Sequence, residues 1–201
     1  LDPSLDKFKD ECGVFGVYSN SPMDVAGMTY YGLYALQHRG QESAGIAVGN
    51  GEEVDIHKGL GLITEAFTKD DLNKLKGYIA IGHVRYSTTG STKVENAQPL
   101  LASSKLGPIA MAHNGNLVNA DVIRDLLEDG GHVFHTTIDS EVIATLIARG
   151  AKRGIERAVV DAIQAVRGSF AMVIATKDKL IGARDPHGIR PLCIGKVDDA
   201  Y

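Results

Sequence analysis

The segment DECGVFGVYS at residues 10–19 marks the beginning of the folded domain, because it joins a polar leader to the first apolar, β-prone run. The eleven residues before Cys12 show no apolar period, whereas the run from Gly13 is typical of a strand. Ordered structure is therefore expected to begin near Cys12. We divide the chain into a leader at residues 1–11 and one domain at residues 12–201.

The apolar pattern downstream predicts a mixture of strands and helices. Strand-like runs lie at residues 45–48, 54–57, 78–84, 109–112, 170–175, 180–183 and 192–194. Helical spacing occurs over residues 24–36 and in three further stripes: Val122, Ile123, Leu126 and Leu127; Val142, Ile143, Leu146 and Ile147; and Ile155, Val159, Ala162, Ile163 and Val166. Strands and helices do not alternate as they do in a doubly wound sheet, so the pattern predicts a layered α+β fold.

Composition excludes several classes of function. The 201 residues are 44% hydrophobic and 23% charged, with a net charge of −4 and no run of Lys or Arg, which disfavours nucleic-acid binding. No apolar stretch reaches the roughly 20 residues of a transmembrane helix, so we expect no membrane partner and a cytoplasmic protein. Two cysteines, without zinc-type spacing, predict no metal site, and His132 and His135 are interpreted as part of a loop.

Cys12 has two interpretations at this stage. It is either a small buried hydrophobe, as cysteine often is, or a nucleophile that cleavage of the leader exposes. A thiol with a pKa of about 8.5 needs a nearby base, and the α-amine of a new amino terminus could be that base.

Four further segments bear on this choice: LQHRGQESAG at residues 36–45, GHVRYSTTG at 82–90, AHNGNL at 112–117 and TTIDSE at 136–141. Together with CGVFG they resemble the class II, N-terminal-nucleophile glutamine amidotransferases, in the family's order and from Cys12 almost to Tyr201. The resemblance implies a four-layer αββα sandwich, with Cys12 at the start of an inner strand. It also implies hydrolysis of glutamine to glutamate and ammonia through a thioester.

Two segments resemble one branch of that family. HRGQES and ARDPHGIRPL, the latter at residues 183–192, are similar to the members that use phosphoribosylpyrophosphate in purine biosynthesis. The resemblance implies a second, phosphoribosyltransferase domain in the complete enzyme, which would be a homo-oligomer. Magnesium and, in some members, an iron–sulfur cluster would belong to that second part, and no cofactor is expected in this chain. Cleavage at Glu11-Cys12 is also implied, so the uncleaved chain is expected to be nearly inactive.

The resemblance assigns roles to seven residues. Cys12 is the nucleophile, and Asn114 and Gly115 stabilise the oxyanion. Arg85 and Thr88 hold the substrate carboxylate, Asp139 holds its ammonium group, and Arg39 supports the nucleophile from a neighbouring loop. A planar guanidinium suits a carboxylate, and fixed donors are what an oxyanion requires.

The residues themselves leave other roles open. Arg85 could form an ion pair with a nearby carboxylate, Asp139 could cap a helix, and Arg39 could be a cation at a helix C-terminus. Asn114-Gly115 could be a hairpin turn. His83 and His113 are interpreted as structural, and Cys193 as a buried, inert thiol. Rival functions are another class II glutaminase, of the glucosamine-phosphate synthase or asparagine synthetase type, an N-terminal cysteine acylase, and a non-catalytic module of the same fold.

Overall fold

The computed structural model describes residues 12–86 and 93–201 of the chain. These residues form two four-stranded antiparallel sheets that lie face to face, with helices on both outer surfaces. The four layers confirm the αββα sandwich. The predicted leader and Thr88 lie outside the described residues.

Three strands of the first sheet start or end close together, at one end of that sheet. It contains β1 (Gly13–Tyr18), β2 (Ser43–Gly49), β3 (Val54–Leu60) and β4 (Ile79–Arg85) in the spatial order β1-β4-β2-β3. Because β4 runs antiparallel to both neighbours, Gly13 lies opposite Val84 and Ser43 lies opposite Arg85. The starts of β1 and β2 therefore meet the end of β4.

The second sheet is built around one long strand. It contains β5 (Leu100–Ser104), β6 (Gly107–Leu117), β7 (Gly168–Ala175) and β8 (Leu180–Arg184) in that spatial order. The pairing of β6 with β5 ends where Leu100 lies opposite Met111, whereas its pairing with β7 continues to Leu117. The last part of β6 thus has a strand neighbour on one side only, within the described residues.

Helices cover the outer face of each sheet. The first sheet packs against α1 (Val25–Ala35), α2 (Ile63–Ala66) and α3 (Lys69–Lys74), and the second against α4 (Ala120–Asp129), α5 (Ser140–Gly150) and α6 (Ile155–Ala165). The α1 helix begins after Asp24, whose carboxylate accepts a hydrogen bond from the Gly27 N–H at 3.0 Å, as expected of an N-cap residue. No helix in the described residues is long and apolar enough to cross a membrane.

Alanine, valine and isoleucine side chains fill the space between the sheets. The cluster at this interface consists of Ala47, Val54, Ile79, Ile81, Ala110, Ala112, Val173 and Ala175. Alternate residues on the same strands, such as Ile46 and Met111, point outward to the helices, because successive side chains of a strand face opposite sides. Strands such as β2 and β6 therefore carry apolar side chains on both faces.

The structure differs from the predicted pattern at three points. The strand β5 and the short helices α2 and α3 were not predicted, and the predicted strand at residues 192–194 was wrong. Pro191 offers no N–H for a ladder, and both Cys193 and Ile194 are exposed. In the stripe on α4, only Ile123 and Leu127 pack inward, whereas Val122 and Leu126 are exposed.

Candidate functional site

Cys12 lies immediately before β1, at the edge where β1 meets the end of β4. Its sulfur is 3.4 Å from both the backbone N and the backbone O of Tyr86, the residue that follows β4. Cys12 is only partly buried, and its thiol lies in an exposed contact. The alternative of a fully buried hydrophobe is therefore wrong.

Arg85 is the last residue of β4, and only 4% of it is exposed. Its Nη1 lies 3.7 Å from Oε2 of Glu42, the residue that precedes β2. A buried guanidinium needs compensating charge, so this ion pair accounts for part of its burial. The ion-pair interpretation is thus present in the structure.

Arg39 reaches Cys12 from the turn that follows α1. Its Nε donates a hydrogen bond to the carbonyl oxygen of Cys12 at 3.3 Å. The next residue, Gly40, packs so closely on β4 that an added Cβ would lie 2.6 Å from the carbonyl carbon of Arg85. Only glycine allows this approach, which holds the Arg39 turn against the edge that carries Cys12.

Asn114 and Gly115 lie within β6 and not in a turn, so the hairpin alternative is wrong. Asn114 is 4% exposed, and its Oδ1 is buried with no hydrogen-bond partner among the described residues. Buried polar atoms without partners are uncommon and mark candidate ligand contacts. At Gly115 an added Cβ would lie 2.0 Å from the carbonyl oxygen of Ser169, so no side chain fits there.

The backbone of β6 directs a row of N–H groups to its unpaired edge. The His113 N–H donates to Oε1 of Gln98 at 2.7 Å, and the Leu117 N–H donates to Oδ2 of Asp139 at 2.9 Å. Alternate residues of an antiparallel strand direct their N–H groups to the same side. The N–H of Gly115, between these two, therefore points to the same edge.

Asp139 precedes α5, but its side chain makes no capping hydrogen bond to that helix. Besides the Leu117 N–H, it accepts a hydrogen bond from Ser140 Oγ at 3.3 Å, and its Oδ1 lies 3.8 Å from Nδ1 of His113. The capping alternative is therefore wrong. The carboxylate is turned toward the edge of β6 instead.

Three polar side chains fix the loop that leads to Asp139. Arg124 of α4 donates to the carbonyl oxygens of residues 136 and 138, at 3.3 and 3.0 Å. Glu141 accepts from the backbone N–H groups of residues 135 and 136, and Asn96 accepts from that of residue 137. These contacts fix the backbone of residues 135–138 and so hold the Asp139 carboxylate in position.

His83 and His113 are buried on β4 and β6, in agreement with their structural interpretation. His83 Nε2 donates to the carbonyl oxygen of His113 at 3.1 Å. Burial lowers the pKa of His83 from 6.5 to about 3, so its ring is neutral at ordinary pH. Because His83 is two residues before Arg85 and His113 is one before Asn114, this hydrogen bond joins the two halves of the site.

The remaining candidates lie apart from this site. Cys193 is exposed, so its interpretation as a buried thiol was wrong. His132 Nε2 lies 3.1 Å from the hydroxyl of Thr145, and the His135 backbone bonds to Glu141. Within residues 12–86 and 93–201, no three histidine, cysteine or carboxylate side chains are grouped to hold a metal ion.

Sequence reasoning missed Glu42, Gln98 and Ser140 as parts of the site. Glu42 and Ser140 lie inside quoted segments, in HRGQES and TTIDSE, and Ser140 directly follows Asp139. Gln98 carries no such signal, since its contact with His113 arises only when β5 and β6 pair.

The site combines four chemical groups at the open ends of the two sheets. The first sheet contributes a thiol and a guanidinium, from Cys12 and Arg85, and the second an oxyanion-type donor pair and a carboxylate, from Asn114, Gly115 and Asp139. A cation and an anion together suit a free amino acid, and the thiol with the donor pair suits attack on its side-chain amide.

The chain matches the family model described as a glutamine amidotransferase domain over residues 83–201. The amidophosphoribosyltransferase of Methanocaldococcus jannaschii is 49% identical over 187 residues, which are 92% of this chain and 40% of that protein. The solved structure of glutamine phosphoribosylpyrophosphate amidotransferase from B. subtilis, complexed with ADP and GMP, has a TM-score of 0.85 and 46% identity and covers 94% of this chain. A structure described as the allosteric regulatory enzyme of purine biosynthesis has a TM-score of 0.87 and 47% identity, also over 94% of this chain.

These proteins are longer than the chain described above. The chain spans about 40% of the length of the M. jannaschii relative and 40% of each of the two solved chains.

Proposed function

Since the chain belongs to the family of glutamine amidotransferase domains, we propose that it is the glutaminase part of an amidophosphoribosyltransferase. The resemblance drawn from the five sequence segments is confirmed at the level of the family. The observation that carries the catalytic proposal is the open edge of β6, which contains Asn114 and Gly115 and binds the Asp139 carboxylate through the Leu117 N–H. The hydrogen bond between His83 and His113 joins this strand to β4, which ends at Arg85.

In the proposed reaction, the Cys12 thiolate attacks the side-chain amide carbon of glutamine. The carbonyl π electrons move to the oxygen, where the Asn114 amide and the Gly115 N–H stabilise the negative charge. When the tetrahedral intermediate collapses, the carbon–nitrogen bond breaks and a thioester remains. The α-amine of a cleaved Cys12 accepts the thiol proton and passes it to the nitrogen, which leaves as ammonia. Water then hydrolyses the thioester to glutamate and restores the thiol.

The proposed binding groups hold both ends of the amino acid. Arg85, kept in position by Glu42, receives the α-carboxylate together with Thr88, and Asp139 receives the α-ammonium. The hydrogen bond from Arg39 to the Cys12 carbonyl oxygen supports a role in fixing the nucleophile. An acylase would not need this pair of opposite charges.

We test the proposal with two forms of the chain, one as given and one that begins at Cys12, and with Cys12→Ser in the shorter form. Glutamate release and intact mass are measured with glutamine as substrate. We expect release, and a thioester adduct on rapid quenching, only from the shorter chain with Cys12. Equal activity of both forms would contradict the α-amine mechanism, and activity of Cys12→Ser equal to that of its parent would contradict the nucleophile.

For the longer protein, we propose that ammonia passes to a phosphoribosyltransferase domain. Its nitrogen would attack the anomeric carbon of phosphoribosylpyrophosphate, displace pyrophosphate and form phosphoribosylamine. Magnesium, any iron–sulfur cluster and the main oligomer contacts are assigned to that part. Glutamine labelled with ¹⁵N in its amide should transfer the label to the product in the longer protein, and failure to do so with intact glutaminase activity would contradict this assignment.

A further inference from the structure

We propose that Gln98 is a positioning residue that holds the oxyanion-binding part of β6 and the substrate-binding Asp139 in one arrangement. The inference rests on the glutaminase function proposed above. It assigns a role to a residue that touches neither the proposed nucleophile nor the proposed oxyanion donors.

The side-chain amide of Gln98 is buried and contacts two structural elements. Gln98 is 5% exposed, and its Oε1 accepts the His113 N–H at 2.7 Å. Its Nε2 lies 3.4 Å from the His113 carbonyl oxygen and 3.2 Å from the hydroxyl of Ser140. Since a backbone N–H only donates and a carbonyl only accepts, these contacts fix which end of the amide is which.

Gln98 replaces a strand neighbour for β6. The pairing of β5 with β6 ends with Leu100 opposite Met111, and two further residues of the same register would place Gln98 opposite His113. There the side-chain amide binds both the N–H and the C=O of His113, as a paired residue would do with its backbone. The strand is thereby held one residue before Asn114.

The presence of a side chain in the place of a strand neighbour affects Gly115. A β5 strand extended past Gln98 would offer its backbone to the next edge-facing N–H of β6, which belongs to Gly115. Because a side chain ends the pairing at His113, the edge is held without occupying that donor. Within the described residues, the pairing of β5 with β6 therefore stops short of the Gly115 N–H.

Ser140 connects the same amide to Asp139. Its hydroxyl lies 3.2 Å from Gln98 Nε2, 2.8 Å from His113 Nδ1 and 3.3 Å from Asp139 Oδ1. The hydroxyl accepts from Gln98 Nε2 and donates to the carboxylate, an arrangement that requires the His113 tautomer with its proton on Nδ1. Gln98 thus links the oxyanion strand to the group proposed to bind the substrate ammonium.

The two contacts of Gln98 predict different kinetic effects. Gln98→Leu removes the restraint on β6, so we expect kcat for glutamine hydrolysis to fall by about tenfold to a hundredfold, since small displacements of catalytic groups have effects of this size. Ser140→Ala removes the hydroxyl shared by Gln98, His113 and Asp139 but keeps both contacts of Gln98 with the His113 backbone, so we expect KM to rise about tenfold while kcat changes less than about threefold. A role in stability alone would give neither pattern.

The experiment uses the chain that begins at Cys12, with Thr29→Val as the matched control. Thr29 is fully buried on α1 and donates a hydrogen bond to the Val25 carbonyl at 2.8 Å, so its substitution also removes a buried polar contact. Far-UV circular dichroism and thermal unfolding accompany the kinetics. A folded Gln98→Leu chain with the kcat and KM of Thr29→Val would overturn the proposal.

Two further measurements keep the test decisive. If Gln98→Leu does not fold, Gln98→Glu retains an acceptor for the His113 N–H but has no donor when ionised, so its kcat should fall at about pH 8 and recover partly at about pH 6. A kcat equal to that of the parent at both pH values would contradict the proposal. If the parent chain hydrolyses no glutamine, the proposed function fails, and amide exchange at His113 then tests the restraint: exchange no faster in Gln98→Leu than in the parent or in Gln98→Glu, which keeps the acceptor, overturns it.

Discussion

A substitution at Asp139 can separate an effect on substrate binding from an effect on the chemical step. Asp139→Asn keeps an acceptor for the Leu117 N–H but removes the charge proposed to face the α-ammonium group. We expect KM for glutamine to rise about thirtyfold, because loss of one member of a buried charge pair has a penalty of about 2–5 kcal/mol, part of which water recovers. We expect kcat to change less, since the oxyanion donors remain.

A substrate analogue without the α-amine tests the proposed contact between Asp139 and the ammonium group by a change in the substrate. The parent chain should hydrolyse glutaramate with the same loss in kcat/KM that Asp139→Asn shows with glutamine. The substituted chain should show little further loss with glutaramate. Independent, additive losses would mean that Asp139 and the amine do not interact.

His83 predicts a pH dependence of stability. Its pKa is about 3 in the folded chain because burial disfavours the imidazolium, against 6.5 when unfolded. Between these values the unfolded chain binds more protons, so the free energy of unfolding decreases as pH falls below about 6.5, by up to about 1.4 kcal/mol per pH unit. The contribution is complete only above about pH 6.5.

Urea unfolding between about pH 7 and pH 5 measures this effect. His83→Gln can still donate to the His113 carbonyl but does not titrate, so its free energy of unfolding should decrease less than that of the parent. His38→Gln, at an exposed position, tests whether loss of any histidine has the same result. Identical slopes for the parent and His83→Gln would contradict the burial argument.

The sequence identified single residues better than it identified their contacts. The roles proposed for Cys12, Arg85 and Asp139 follow from residue type together with the motifs around them, because each residue belongs to a quoted segment. Glu42 and Gln98 were missed because their contacts join residues far apart in the chain. Cys193 was interpreted wrongly because an apolar neighbourhood in sequence does not guarantee a covering layer in space.

At the scale of elements, Asp185 organises the segment that follows β8. Its carboxylate accepts hydrogen bonds from the backbone N–H groups of Phe170, His187, Ile189 and Arg190, at 3.0 to 3.3 Å. Burial would raise the pKa of Asp185, but these four donors outweigh it and hold the pKa below its usual value. The RDPHGIRPL motif is therefore built around a carboxylate that ties a loop to β7.

Asp185→Asn should weaken this element. An amide has one acceptor oxygen and would direct its NH₂ group at backbone donors, so we expect the free energy of unfolding to fall by about 2–3 kcal/mol at neutral pH. Asp178→Asn, in an exposed turn where the carboxylate accepts from the Thr176 hydroxyl, should change it by less than about 0.5 kcal/mol. Urea denaturation of both variants measures the difference, and equal effects would show that the four donors add nothing specific.

Elements with a strongly periodic apolar pattern were predicted from the sequence. Elements that form only by packing or pairing with a neighbouring element were not. Helices α5 and α6 follow their apolar stripes closely, because each stripe packs on the second sheet. On α4 half of the apolar stripe is exposed. This helix contributes only Ala120 and Ile123 to the core on the second sheet, and Leu127 is buried near the end of the helix. The strand β5 has an exposed leucine and an exposed serine, Leu101 and Ser103, and becomes a strand only by pairing with β6.

At the scale of the whole molecule, the site depends on the distance between two sheets. Cys12 and Arg85 lie on the first sheet and Asn114 and Gly115 on the second, with the hydrogen bond between His83 and His113 as a direct link. The motif order predicted the family and the layered fold. It did not show that alanines fill the interface, because that follows from which faces of the strands meet.

The small interface side chains lead to a prediction about activity at a distance from the site. Ala110 is fully buried between the sheets, so Ala110→Leu should force them apart, with a destabilisation of about 1–3 kcal/mol. Because the displacement separates the thiol from the proposed oxyanion donors, we expect kcat to fall about tenfold or more.

Ile147→Val is the control, because it trims a fully buried side chain of α5 that packs on the second sheet. It should destabilise the chain by about 0.5–1.5 kcal/mol and leave kcat within about twofold. Kinetics at a temperature where urea titration shows both variants to be folded separate the two effects. If activity instead follows stability equally in both variants, the spacing of the sheets does not control the chemistry, and each half of the site must be held locally by its own loops.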